Sequence, residues 1–538
     1  MLIFKIMKMK NYKIKIAVIC LTMFSLMSCI DDLDTSPKYE NSLENILQND
    51  PNAVEGLVAK MYASLSMSSA KGPGESDVSG PDKGETVFLR GIINLQDFTA
   101  DGMKNRWGDN GLDQLTTTSS WTSDNKFFRY LYDRVYYTVP QANNLISALN
   151  NINHPQKEQY IDELRFLRAL SYYYMIDCFG KGVIVTEKDA GVVTPKPQSS
   201  RIDMFNFVES ELKAIEETIQ QTTPYGHANK AAVRMLLAKL YLNAQVYTGT
   251  QRYNDAATYV NKVITEGGYS IDNNFVRMFS FDNYASPEII FPLIADPVGT
   301  ESYGNSTYII NGSTGGTPLT LKASDYGVTG DGWGGHRATK AWYGLFGNNL
   351  TDFNYGNQND LTTSTDVRSK LFWQTGHHYE MTDYKNWVDG YPSIKYRNLN
   401  TSGATVIKDF SGADFPLFRL SDAYLMYAEC ALRGASTANN SQALTYINEV
   451  RTKRGAIAIN NTQLTLDFIL AERARELNLE GQRRTDLIRF GKFTGGSYVW
   501  PWKGGVASGK AIPDYYNLFP IPSTALQSNP NLKQNPGY

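Results

Sequence analysis

Apolar residues recur at helical spacing in blocks at residues 51–66, 125–150, 156–179, 201–220, 228–247, 253–266, 421–433, 441–454 and 466–490, and each block predicts an amphipathic helix. Between them run Gly-, Asn- and Thr-rich stretches at 68–86, 94–121 and 296–370, where the periodicity fades. Compact domains usually join their elements through about 4–6 residues. Stretches this long read as function-bearing loops on a rigid scaffold, and they are neither acidic nor repetitive enough to read as disorder. The predicted fold class is all-α. The helical scaffold spans about 40–66, 125–290 and 415–495, and the loop-rich region about 68–121 and 296–410.

Two helix pairs repeat a pattern. HANKAAVRMLLAKLYLNAQVY precedes YNDAATYVNKVITEGGYSI, and SDAYLMYAECALRG precedes SQALTYINEVRTKRG. In each pair the first helix sets a small residue, Ala238 or Ala428, among large apolar ones, and the second opens with an Ala-x-x-Tyr step, Ala256/Tyr259 or Ala443/Tyr446. This resembles the tetratricopeptide pattern, in which each pair hides its apolar face only by stacking on another.

The N-terminal end changes the picture. Lys5, Lys8, Lys10, Lys13 and Lys15 precede an uncharged run of 12 residues, Ile16 to Met27. That is the layout of a secretory signal, and at roughly 18 Å of helix it is short for a hydrocarbon core of ~30 Å. Leu26-Met27-Ser28-Cys29 resembles the lipobox of bacterial lipoproteins, which implies cleavage before Cys29 and a lipid on its thiol; an ordinary signal peptide carrying a cysteine is the alternative. Asp31, Asp32 and Asp34 resemble the export signal of lipoproteins on the outer face of the outer membrane in Bacteroidetes-type bacteria. The expected organisation is a signal peptide over 1–28 and a single domain over 29–538. Without the leader lysines the net charge falls from −2 to −7, so nothing suggests nucleic acid. Cys178 and Cys430 read as buried core thiols, with a bridge in an oxidising compartment as the alternative.

Several segments resemble the SusD/RagB family of outer-membrane nutrient-binding lipoproteins. They are RFLRALSYYYMIDCFGKGVIVT (165–186), FPLFRLSDAYLMYAECALRG (415–434), YINEVRTKRG (446–455), ERARELNLEGQRRTDLIRFGKF (472–493) and LFPIPSTALQSNPNLKQNPGY (518–538). The resemblance implies a non-enzymatic, surface-exposed protein with a tetratricopeptide-like scaffold. It also implies a partner, a SusC-like TonB-dependent transporter, and a tether to the outer membrane through Cys29. The likeness to the family's starch-binding member extends into GPDKGETVFLR (80–90), RWGDNGLDQLTTTSSW (106–121), SYGNSTYIINGS (302–313) and TGDGWGGHRA (329–338). It implies an aromatic platform for an α-glucan made by Trp107, Tyr303 and Trp333, with Asp82, Arg90 and Asn110 as polar partners. One departure is Asn105, where the starch-binding member has a further tryptophan, and the loop after Trp333 looks shorter. A different cargo, a β-glucan or a host glycan, is the alternative.

The chemistry is coherent in its own terms. A pyranose packs its C–H face on an indole or phenol and needs hydrogen-bond partners along its hydroxyl edge. Arg90 donates, Asp82 accepts and Asn110 does both. Other motifs are set aside. The charges at Glu472, Arg473, Arg475, Glu476, Glu480, Arg483, Arg484 and Asp486 read as i,i+3 and i,i+4 pairing along one helix. No hydrolase motif surrounds Asp82, Glu85, Asp101 or Asp109, although sequence leaves open a carboxylate pair at glycosidase spacing. His377 and His378 are adjacent rather than at helical spacing, and GPGESDVSG lacks the Lys-Ser/Thr ending of a phosphate loop. No metal and no cofactor is expected.

Overall fold

The structure is a computed structural model that describes residues 43–50, 52–78, 84–347, 356–402 and 407–538. Cys29, the leader and Asp82 lie outside the described residues. Residues 52–538 form one compact unit; residues 1–51 are a separate unit, whose described part holds one short helix, Leu43–Asn49.

The scaffold is a series of helices: α1 (Lys126–Asn150), α2 (Lys157–Cys178), α3 (Arg201–Thr218), α4 (Lys230–Leu242) and α5 (Tyr253–Glu266). After the loop-rich region and its short helix α6 (Ser306–Gly312) come α7 (Leu420–Leu432), α8 (Asn440–Lys453), α9 (Leu466–Leu477) and α10 (Arg483–Arg489). From α1 to α5 each helix packs on the next, then α5 on α7 and α7 on α8. Starts are written locally. Ser200 Oγ accepts from Asp203 N while Ser200 N donates to Asp203 Oδ2, both at 3.1 Å, and Asn229, Asn439 and Thr465 cap α4, α8 and α9.

The two repeated helix pairs close in the same way. Ala238 and Ala428 are fully buried, which lets the helices approach. In each pair the tyrosine of the Ala-x-x-Tyr step stacks on a tyrosine of the preceding helix: Tyr259 on Tyr241 at 5.6 Å, and Tyr446 on Tyr424 at 4.3 Å between ring centroids. The tetratricopeptide-like reading therefore has a structural counterpart in matched contacts. Cys178 and Cys430 are buried free thiols.

Several expectations need correction. Residues 228–247 form two helices, Lys230–Leu242 and Ala244–Thr248. Residues 466–490 are not one helix: the chain breaks between α9 and α10, where Leu479 and Gly481 take φ of 56° and 66°. A Cβ on Gly481 would lie 2.3 Å from Ile92 Cγ2, so the break also brings the chain against helix Phe88–Ile93. Nor do the charges there pair mainly along the helix. Glu472 to Arg475 and Asp486 to Arg489 are i,i+3 pairs, but Glu476 reaches Arg368, Arg419 and Arg454 at 2.6–2.9 Å, Glu480 meets Arg419 and Lys395 at 2.6 Å, and Arg483 clamps Asp101. Glu472, Glu476, Arg368 and Arg454 are wholly buried.

The loop-rich region is pinned by two small antiparallel sheets. Strand β1 (Met103–Asn105) pairs with β3 (His336–Ala338), and β2 (Ile289–Leu293) with β4 (Phe415–Arg419). Helix α6 also lies inside a stretch read as loop, and helix Phe88–Ile93 inside the region read as loop-rich. Among the described residues no helix is long and apolar enough to cross a membrane.

Candidate functional site: an arc of exposed aromatic faces

The β1–β3 pairing sets Asn105 opposite His336, and just beyond it Arg106 N donates to Gly335 O at 3.2 Å. That register brings Trp107 beside Trp333, although the two are far apart in sequence. The Trp107 indole N–H donates to Trp333 O at 3.0 Å, and the ring centroids lie 6.2 Å apart with planes at 57°. Tyr303 follows on the other side of Trp333, at 6.3 Å and 51°, and rests on Phe410 at 5.1 Å. The three aromatics thus form a contiguous arc in which neighbouring ring planes are tilted by 57° and 51°. Trp107 is half-buried, while Tyr303 and Trp333 are 41% and 37% exposed.

The backbone holds this arc rigidly. The N–H groups of Trp333, Gly334 and Gly335 donate to Asn311, Thr314 and Gly312 carbonyls at 2.6, 2.6 and 2.8 Å. These lie at the C-terminal end of α6, where helix carbonyls lack intrahelical partners. Gly335 is required by close approach: a Cβ there would sit 2.3 Å from the Trp107 indole. Gly332 and Gly334 have positive φ of 102° and 56°. Gly84 backs the start of Tyr303, where a Cβ would come within 2.6 Å.

The polar residues are less uniform. Asn110 is exposed, in the turn between Gly108 and Gly111, three residues on from Trp107. Arg90 is only 8% exposed: its guanidinium lies 4.2 Å over the Tyr308 ring and 3.6 Å from Glu85, which also meets Lys126 at 2.8 Å. It underlies the arc and presents only a narrow edge to solvent. Asp82 is outside the described residues. Asn105 is buried, and its Oδ1 accepts the Trp107 backbone N–H at 2.8 Å, so it serves to set the Trp107 backbone.

Sequence reasoning missed the layer beneath. Tyr308 and His336 stand edge to face at 4.7 Å, and both contact Trp107, at 6.1 and 5.1 Å. Tyr308 donates to Asn94 Oδ1 at 2.6 Å. Burial, then the nearby Arg90 and Arg337 charges, holds the His336 pKa well below the usual imidazole value, so it acts as a neutral ring. Both residues fall inside stretches already singled out, SYGNSTYIINGS and TGDGWGGHRA, which is the signal that could have found them. Among the carboxylates weighed for catalysis, Glu85 is tied to Lys126, and Asp101 to Arg483 and the Tyr498 hydroxyl. Among the described residues no group of His, Cys, Asp and Glu is placed to hold a metal.

Comparison with known proteins adds four findings. The sequence profile of the SusD family matches residues 287–538. The starch-binding protein SusD of Bacteroides thetaiotaomicron is 31% identical, over 97% of this chain and 98% of that one. The SusD-like protein P25 of Formosa agariphila is 23% identical, over 99% and 100%. Among solved structures, surface glycan-binding protein A from Bacteroides thetaiotaomicron in complex with laminarihexaose superposes with a TM-score of 0.66 at 19% identity, covering 90% of this chain and 98% of that one.

Proposed function

Because the chain belongs to the SusD family, we propose that it is a non-catalytic, cell-surface glycan-binding protein that captures α-1,4-linked glucan chains and delivers them to a SusC-like TonB-dependent transporter. The observation that carries the cargo is the arc. Trp107, Trp333 and Tyr303 offer successive faces turned by 57° and 51°, a fit for a curved chain that rotates from sugar to sugar. A relative named for starch binding, similar along nearly its whole length, supports the same choice. In this reading Trp107, Trp333 and Tyr303 stack on pyranose faces while Asn110 and Asp82 bond hydroxyl edges. Arg90 contributes from below through its exposed edge and by fixing Tyr308.

A binding role suits the electrostatics, because Glu85 and Asp101 are neutralised by cations rather than poised across a cleft. A lipid on Cys29 would hold the protein at the outer membrane, within reach of the transporter. The test is calorimetry on protein starting at Ile30, titrated with a long malto-oligosaccharide, a cyclic α-glucan and a β-1,3-glucan. Binding of the first two, with affinity lowered about tenfold or more in Trp333→Ala, is the expected result. Binding of the β-glucan alone would overturn the cargo; an unaffected Trp333→Ala would overturn the site. Mass spectrometry of membrane-extracted protein for a lipid on Cys29, and co-purification of a barrel, test the anchor and the partner.

A further inference from the structure

Near the end of helix Leu112–Thr116, which follows Asn110, lies another aromatic residue held in an unfavourable setting. Trp502, in the stretch SYVWPWKGG, takes a φ of 72°, the left-handed region that bulky residues avoid. Its indole nitrogen is turned inward, buried and without a hydrogen-bond partner. Both features are unfavourable, and together they leave a half-buried indole whose remaining accessible surface is carbon.

The surroundings hold that face in place. Trp502 N donates to Val506 O at 3.1 Å, and Gly505 N donates to Thr117 O at 3.0 Å, which ties the loop to the end of helix Leu112–Thr116. Tyr384 braces the indole edge to face at 5.0 Å. The segment carrying Tyr384 also runs alongside the arc. Arg106 lies 5.7 Å over Trp387, Arg337 of β3 donates to Asn386 O at 2.8 Å, and Lys385 Nζ donates to Asp113 Oδ2 at 3.0 Å. The Lys385–Asp113 pair lies beside Gly108, where an added Cβ would come within 4.0 Å of both, and Tyr384, next to Lys385 in the chain, leads on to Trp502. Lys385 and Asp113, both solvent-accessible, supply a donor and an acceptor there.

We infer that Trp502 is a distal sugar subsite, which stacks on a pyranose ring of the same neutral glucan chain further along than the rings on the arc. The inference rests on the glucan-binding reading of the arc and extends it to chain length: short oligosaccharides engage the arc, and long ones gain affinity by also reaching Trp502. Its chemistry is a carbon face for a sugar face, with hydroxyl contacts to Lys385 and Asp113.

The test is calorimetry of the full mature protein with maltotriose and with a long malto-oligosaccharide, in the parent and in Trp502→Gly. Glycine adopts the left-handed backbone freely, so the variant removes the indole while relieving the strain, and its thermal midpoint should stay close to that of the parent. The ratio of long-chain to short-chain affinity should fall roughly three- to tenfold. Trp502→Tyr, which keeps an aromatic face, should restore most of that ratio. An unchanged ratio in Trp502→Gly, with Trp333→Ala still impaired, would overturn the subsite and leave the arc standing. A variant that lost stability together with affinity for both sugars would make Trp502 a structural prop and overturn it too. A parent that binds neither sugar would remove the arc reading and the subsite with it.

Discussion

The buried ion lattice around Glu476 and the aromatic arc around Trp333 invert each other's logic. In the lattice, charged groups are withdrawn from water and almost every oxygen is shared among cations from distant segments: Arg368 before β4, Arg419 at its end, Arg454 after α8. In the arc, apolar faces are left in water and the polar groups that hold them are uncharged: backbone N–H and C=O, the Asn105 amide and the Trp107 indole N–H. Withdrawing charges is unfavourable unless every partner is present, so the lattice fixes segments relative to one another and tolerates little change. Exposing aromatic carbon is also unfavourable, but a ligand can relieve it. The difference teaches that charge density marks the scaffold of this protein, and exposed carbon marks the surface proposed to bind glycan.

The sharpest way to break the comparison is Glu476→Ala, which strips one carboxylate from Arg368, Arg419 and Arg454 at once. Removing one partner of a buried ion pair typically costs about 3–5 kcal/mol, and here several guanidiniums lose a partner together. Chemical denaturation followed by circular dichroism should show at least that loss, while folded protein should still bind glucan. A loss below ~1 kcal/mol would mean the lattice does not hold the segments together.

Next in size is an acid limb. Burial alone would raise the Glu472 carboxyl, but Arg368, Arg451 and Arg475 outweigh it and hold its pKa down to about 2. A carboxylate depressed in the folded state contributes fully above its ordinary value of 4.5 and loses that contribution as pH falls towards 2. Stability should therefore decline between pH 4.5 and 2, by ~3 kcal/mol from this group, and Glu472→Gln should flatten the slope even though it starts lower. An equally steep slope in the variant would assign the acid limb to other groups.

How much of this was legible in sequence follows the same divide. Helix pairs were legible because burial imposes a 3.6-residue period, and the Ala and Tyr steps survived as the stacks Tyr241–Tyr259 and Tyr424–Tyr446. The charges of α9 and α10 were visible but misread, since helical spacing reports neighbours along one helix and is silent about Arg368 or Arg419 arriving from elsewhere. The convergence of Trp107, Tyr303 and Trp333 had no periodic signal. It depends on three-residue strands, β1 and β3, too short to register, and was read only through family resemblance. Tyr308 and His336 stayed hidden for the same reason.

On the arc side, Gly335→Ala should separate the two regions with one methyl group. The added carbon would meet the Trp107 indole at 2.3 Å, so the ring must tilt and give up its bond to Trp333 O. Glucan affinity should fall about tenfold, with far less effect on the denaturation midpoint than Glu476→Ala. An unchanged affinity would show that the mutual tilt of Trp107 and Trp333 is irrelevant to the ligand.

The smallest expected effect carries the finest distinction. If the arc works through carbon faces, the Tyr303 hydroxyl is incidental, and Tyr303→Phe should keep glucan affinity within about twofold of the parent. The phenyl ring of that variant would retain the contacts that Tyr303 makes with Trp333 and Phe410, at 6.3 and 5.1 Å, and so its orientation. Tyr303→Ala, which removes the face, should lose roughly three- to tenfold. Calorimetry on both variants reads the difference directly. If the phenylalanine variant loses as much as the alanine variant, the hydroxyl bonds the sugar edge, and Tyr303 belongs with Asn110 among the groups proposed to orient the chain rather than with the two tryptophans proposed to stack on it.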